Sequence, residues 1–127
     1  MNYWIFQSDS PDLKEGKEMA WDATRYRNDM QPGDLVYIWV DGESADGGIH
    51  GWGEMTSDSY EEEGKHYVKV EVKDTLKHIV PAKEMHANSD LQGLLIMKAP
   101  VGTNFLISPD EAREISELIA PDERPKV

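Results

Sequence analysis

The sequence predicts a small α+β protein, a mixed β-barrel of about five to six strands with short flanking helices. Three observations carry that expectation. Short runs either alternate apolar with polar residues or are wholly apolar; Pro- and Gly-containing turns separate them; and one well-marked amphipathic helix closes the chain. With 127 residues there is enough chain for one core but not two, so a single domain over 1–120 and a C-terminal tail at 121–127 are expected.

Residues 2–8 alternate as a strand, with Tyr3, Ile5 and Gln7 on one face and Trp4, Phe6 and Ser8 on the other. A break at Pro11 follows, then a helical turn over 12–20 around Leu13 and Met19, weakened by Gly16. Between Trp21 and Met30 an apolar residue recurs every few positions, which suggests a short helix closed by the turn Gln31-Pro32-Gly33-Asp34. Leu35–Val40 is almost wholly apolar and suits a strand covered on both sides.

After a polar loop, Ile49–Thr56 reads as a strand in which Ile49, Gly51, Gly53 and Met55 face one way and His50, Trp52, Glu54 and Thr56 the other. Two glycines on one face leave room for a second backbone, a bend or a ligand, as at a barrel corner or a pocket floor. An acidic loop spans 58–64. The strand His66–Val72 turns Val68, Val70 and Val72 inward and leaves Lys65, Tyr67, Lys69, Glu71 and Lys73 outward. That lysine row reads as a solvated or edge-protecting face in preference to a phosphate-tracking one.

Residues 75–85 read as a connection around Ile79-Val80-Pro81, 94–97 as a short buried strand and 99–105 as a loop. In the closing helix Ser108 is the N-cap, Pro109 the first helical residue and Glu111 the third, a capping box. Ala112, Ile115, Leu118 and Ile119 form its apolar stripe, Pro121 ends it, and a frayed tail is expected beyond.

Composition narrows the function. A net charge of −12 argues against indiscriminate binding to duplex phosphate, which draws its affinity from many Lys and Arg contacts. Halophilic adaptation also produces acidity, but the nine lysines against four arginines give that reading little weight. The absence of cysteine excludes disulfides, thiolate metal sites and Cys nucleophiles. No apolar run is long enough to cross a bilayer, and the first residues read as a strand in preference to a signal peptide, so a cytoplasmic location without a membrane partner is expected. His50, His66, His78 and His86 lack metal-ligand spacing, and no HExxH, P-loop or nucleophile-elbow pattern occurs. Not an enzyme, no cofactor and no metal is the resulting expectation.

What remains is aromatic. The stretch from Trp21 to Ser57 holds three of the four tryptophans, two of the five tyrosines and two of the four arginines. Trp4 and Trp39 lie in hydrophobic strand runs and read as core. Trp21 opens a segment rich in Asp, Arg and Asn, and Trp52 shares its face with His50 and Glu54 between two glycines, settings that suit a pocket wall. A base slotted between indoles gains roughly 1–3 kcal/mol per stacking partner. Ser8 or Asn104 would read its edge.

The blocks NYWIFQSDSPD, W-D-x-x-R-x-R-N-x-M-x-P-G-D-x-V-Y-x-W, G-I-x-G-W-G-E-M-T-S, the GTNF loop and the SPDEAREISELI helix together resemble an EVE domain. That is a PUA-like fold related to YTH and ASCH domains, and the likeness covers essentially the whole chain. It implies a compact barrel with a pocket for a modified base, such as methylated cytosine or adenine in DNA, or for modified RNA. Such domains occur alone or fused to restriction nucleases. By position Trp21 resembles the cage tryptophan of YTH readers. Gln7 and Ser8 sit where the first strand ends beside the ligand, and Gly102, Thr103, Asn104 and Phe105 look like the pocket loop. Trp52, and less directly Trp39 and His50, are further candidates, and Arg25 and Arg27 with the lysine row are the cations available for a phosphate rim.

The expectation is therefore a non-catalytic reader that takes one modified nucleotide of DNA or RNA, or a free nucleotide, with Trp21 stacking on it. Two rivals come from other classes. An ASCH-like hydrolase or nuclease would turn over RNA or modified nucleosides, and a protein-interaction or regulatory module would bind no nucleotide.

Overall fold

The computed structural model describes residues 1–8, 13–23, 25–41, 47–98 and 101–127. Among them are seven strands: β1 (Tyr3–Ser8), β2 (Glu18–Asp22), β3 (Leu35–Val40), β4 (Gly48–Met55), β5 (Tyr60–Glu62), β6 (Lys65–Pro81) and β7 (Asn104–Ile107). The helices are α1 (Ala82–Ala87), α2 (Leu95–Lys98) and α3 (Pro109–Leu118), with 3-10 turns at Arg27–Asp29 and Ser89–Leu91. The strands form one mixed sheet in the order β2-β6-β4-β3-β1-β7, with β5 paired to β6. Among the described residues only β1 and β3 run parallel; every other pair is antiparallel. The sheet curls into a half-barrel, the mixed barrel-like architecture expected.

Both sheet faces are covered. Alternation along β1 and β3 sends Ile5, Leu35, Tyr37 and Trp39 into a cluster roofed by Ala112, Ile115 and Ile119, and sends Trp4, Phe6, Val36 and Ile38 into the barrel interior with Val68, Val70 and Val72. Tyr37 pins the roof by donating its hydroxyl to the Ala112 carbonyl at 2.7 Å, and burial pushes that phenol's pKa well up.

Glycines on β4 serve the corner and not a pocket. A Cβ at Gly51 would lie 2.7 Å from the Asp74 carbonyl, and one at Gly53 would collide with the Glu71 carbonyl, so it is the backbone of β6 that approaches here. Register breaks at Ile49/Gly51 and at Trp52/Gly53 mark two irregularities. They place Ile49 and Trp52 against the same cluster, contrary to simple alternation.

Several boundaries differ from the sequence reading. Residues 18–22 are strand, not helix, because they pair with Tyr67–Glu71. Tyr60–Glu62 forms a hairpin with β6 inside the expected acidic loop, and β6 continues to Pro81 where a connection was expected. Residues 95–98 are helical, a short apolar run being ambiguous by periodicity alone, and 104–107 is strand β7. The capping box at Ser108 and Glu111 forms as expected. The tail is docked, not frayed: Glu123 is 6% exposed, its carboxylate accepts from the Lys77 amide at 3.1 and 3.2 Å, and its carbonyl accepts from Trp52 Nε1 at 2.8 Å.

Docking that tail gathers acid around Asp74 on β6. Desolvation raises the Asp74 pKa above the usual carboxylate value, with repulsion from Glu15, Glu123 and Asp122 and a hydrogen bond that protonated Asp74 donates to Glu15 adding to it. A raised native pKa means the fold favours protonated Asp74. That stabilisation is complete below the unfolded value of about 3.9 and is lost as pH rises through the native value. Asp74→Asn should therefore melt higher than wild type at neutral pH, with the gain shrinking as pH falls toward 4. A melting difference that ignores pH would contradict this account.

Candidate functional site

The barrel leaves a seam. β2 and β7 are the two ends of the strand order, and no ladder joins them. A side chain crosses between them instead: buried Asn104 on β7 donates from Nδ2 to the Asp22 carbonyl of β2 at 2.9 Å. Beside it Gln7 donates from its amide to the Thr103 carbonyl at 2.9 Å and from Nε2 to the Gly102 carbonyl at 3.1 Å. Gly102 has φ +103, a backbone setting that glycine adopts without strain.

Two adjoining hollows open at this seam. The first, about 570 Å³, is lined by Gln7, Ser8, Ala20, Trp21, Asp22, Asp41, Gly102 and Thr103. The second, about 460 Å³, is lined by Asp22, Arg25, Gly102, Thr103 and Asn104. Either volume falls in the range of small-molecule sites. Asp41 reaches the hollow because β1 and β3 run parallel and in register, Ser8 beside Val40, with the Asp41 amide donating to the Ser8 carbonyl at 3.1 Å.

Trp21 lies between the hollow and the barrel interior. It is 7% exposed, too little to present a whole indole face, and its ring packs on Phe6 with centroids 5.7 Å apart at 58°. The packing continues through Phe6 to Trp4 at 6.2 Å and from Trp4 to Tyr26 at 5.7 Å. Among the described residues nothing accepts a hydrogen bond from the buried Trp21 Nε1. Buried donors are ordinarily paired, so this one is an unmet hydrogen-bonding capacity in a residue that lines the hollow.

The expected residues divide in two. Gln7, Ser8, Trp21, Arg25, Gly102, Thr103 and Asn104 come together at the seam. Phe105, Trp39 and Trp52 do not. Phe105 alternates away from Asn104 and is buried with Trp39 under the helices, and Trp52 packs against that same cluster. The sheet thus separates all three from Trp21, and the described residues assemble no multi-walled aromatic cage. His50 is half-buried on β4 and borders neither hollow; Arg27 is exposed in the 3-10 turn, its carbonyl accepting from Ser59 Oγ at 2.7 Å. Sequence reading missed Asp22 and Asp41, although Asp22 directly follows the tryptophan that it accompanies.

The EVE domain profile matches residues 2–118. The chain belongs to the EVE domain family. Solved structures of similar shape include a hypothetical protein from Leishmania major, with a TM-score of 0.78, 18% identity and coverage of 93% of this chain and 94% of that one. Another is a protein from Rhodopseudomonas palustris, with a TM-score of 0.77, 19% identity and coverage of 93% and 92%. A third is human THYN1 in complex with 5-methylcytosine-containing DNA, with a TM-score of 0.73, 13% identity and coverage of 91% and 95%. Comparison with curated proteins gives no match. The matched region of this EVE domain spans both edge strands and so contains the whole seam.

Proposed function

We propose that this EVE domain binds nucleic acid without catalysing a reaction and takes one base, preferably a modified one, into the hollow between β2 and β7. The observation that carries the reading is the lining of that hollow, which brings Trp21, whose buried Nε1 has no acceptor among the described residues, together with Gln7, Thr103, Asp22 and Asp41. Carboxylates repel phosphate but accept from an exocyclic amino group, so the hollow suits the base and not the backbone. Arg25, which lines the second hollow with no carboxylate partner among the described residues, would meet the phosphate. The human structural neighbour bound to 5-methylcytosine DNA supports the same class of ligand.

A non-catalytic role agrees with where acid–base tuning occurs. Among the described residues the two groups with clearly shifted pKa values, Tyr37 and Asp74, border neither hollow. Binding requires the nucleotide to leave its stack, which is cheapest in a single strand or at a damaged or mismatched position.

The test is equilibrium binding to short single strands that differ only in one central base, with and without its methyl group. One buried methyl contributes about 0.8 kcal/mol, so a preference of about fourfold for the methylated base is expected. Affinity indifferent to the identity of the central base would remove the reading, and turnover of any strand would replace it with a hydrolytic one.

A further inference from the structure

We infer that the outer face of the β5–β6 hairpin carries the unpaired nucleotides flanking the captured base, Tyr60 and Tyr67 stacking on a neighbouring base and Lys65 and Lys69 meeting the phosphodiester backbone. This rests on the proposed function, because the hairpin matters as a continuation of the hollow.

Register makes the connection. Asp22, which borders both hollows, pairs with Tyr67 across β2 and β6, and Tyr67 pairs with Tyr60 across β6 and β5. Directly paired residues share a sheet face, so the three side chains form one row. It starts at the rim of the hollow and crosses the hairpin on the face opposite Val68, which is buried in the barrel. The tyrosine rings are half-buried with centroids 6.0 Å apart at 36°. Lys69 Nζ sits 5.9 Å from the Tyr60 ring centroid.

Charge fits the same path. A smaller hollow of about 350 Å³ is lined by Asp22, Gly64, Lys65 and His66, adjoining the others through Asp22. Among the described residues Lys65 has no carboxylate at ion-pair distance, though Glu62 is its register partner. Lys69 faces Glu18 at 3.9 Å with both side chains nearly half exposed, a loose pair that a phosphate can displace. His66 Nε2 lies 4.0 Å from Glu61. The hairpin turn is tight, with Glu63 at φ 52 and Gly64 at φ 79, the two-residue geometry that matches the twist of the strands it joins. Lysines interleaved with aromatic rings beside a base-sized hollow are the composition of a single-strand path, and in a chain of net charge −12 it is a local one.

The test compares the full chain with Lys65→Gln/Tyr67→Ser, using short single strands of DNA and of RNA with a central 5-methylcytosine, and the corresponding nucleoside monophosphate. The double variant should weaken strand binding about tenfold or more and flatten its salt dependence. Monophosphate binding should stay unchanged, and the backbone, DNA or RNA, that shows the drop is the one carried. Should Tyr67→Ser disturb folding, Lys65→Gln/Lys69→Gln tests the electrostatic half alone. Strand binding equal to wild type overturns the inference and leaves the hollow intact; a parallel loss for strand and monophosphate also overturns it. If wild type binds neither probe, the inference and the function beneath it fall together.

Discussion

Asp34→Ala should cost about 3 kcal/mol or more and lower the melting temperature by on the order of ten degrees. Asp34 is wholly buried at the start of β3 and acts as a hub. Its Oδ1 accepts from the Asn2 amide at 3.0 Å, and its Oδ2 accepts from Trp4 Nε1 at 3.0 Å and from the Gln31 amide at 3.3 Å. Water can rehydrate Gln31 and part of Asn2 once the carboxylate is gone, but Trp4 is fully buried and its N–H would be left without a partner. An orphaned buried donor costs roughly 1–3 kcal/mol on top of the lost charge-assisted bonds. Asp34→Asn keeps the shape and one acceptor, so it should cost clearly less; chemical denaturation of the two variants measures the difference. Equal, small effects from both would show that the hub contributes little. Since Trp4 contacts Phe6 and Phe6 contacts Trp21, loosening this hub should also loosen the floor of the hollow.

Local patterns foretold what local forces decide. Alternation in Tyr3–Ser8, the apolar run Leu35–Val40, the inward valines of β6 and the capping box at Ser108 each express a periodicity or a hydrogen bond that the neighbouring residues alone determine. Strand β2 was illegible for the opposite reason. Its Glu-Met-Ala-Trp-Asp sequence has no strong preference, and it is strand because Tyr67–Glu71 lies beside it. The tail likewise looked free because nothing near it in sequence announces that β6 will offer the Lys77 amide to Glu123.

The site divides along the same line. Gln7, Ser8, Trp21 and the Gly102–Asn104 segment were named from motif and resemblance, and the seam brings them together. Phe105 shows the limit: one step along a strand reverses the face, so a segment can border the hollow while its aromatic residue does not. Asp41 became visible only with topology. It lies more than thirty positions from Ser8 in the chain, and the parallel pairing of β1 with β3 sets them side by side.

Trp21→Phe should separate function from stability. The substitution keeps an aromatic ring against Phe6 and deletes the one group, Nε1–H, that burial leaves without an acceptor among the described residues. Losing part of the ring costs packing, while removing an unsatisfied buried donor returns roughly 1–3 kcal/mol, so the melting temperature should stay near wild type or rise. Base binding should nevertheless weaken tenfold or more, because an acceptor on the bound base would then be buried opposite carbon. Trp21→Ala cannot make the distinction, since a cavity of that size costs about 3–5 kcal/mol and unsettles the whole barrel interior. Calorimetry and base-dependent binding on the phenylalanine variant decide the matter together. If the variant is as stable as wild type and binds as tightly, the indole nitrogen reads nothing and the hollow loses its donor. If it is markedly less stable, the nitrogen was already satisfied within the fold. Only retained stability with lost binding assigns Trp21 a cost that the fold carries for the sake of a ligand.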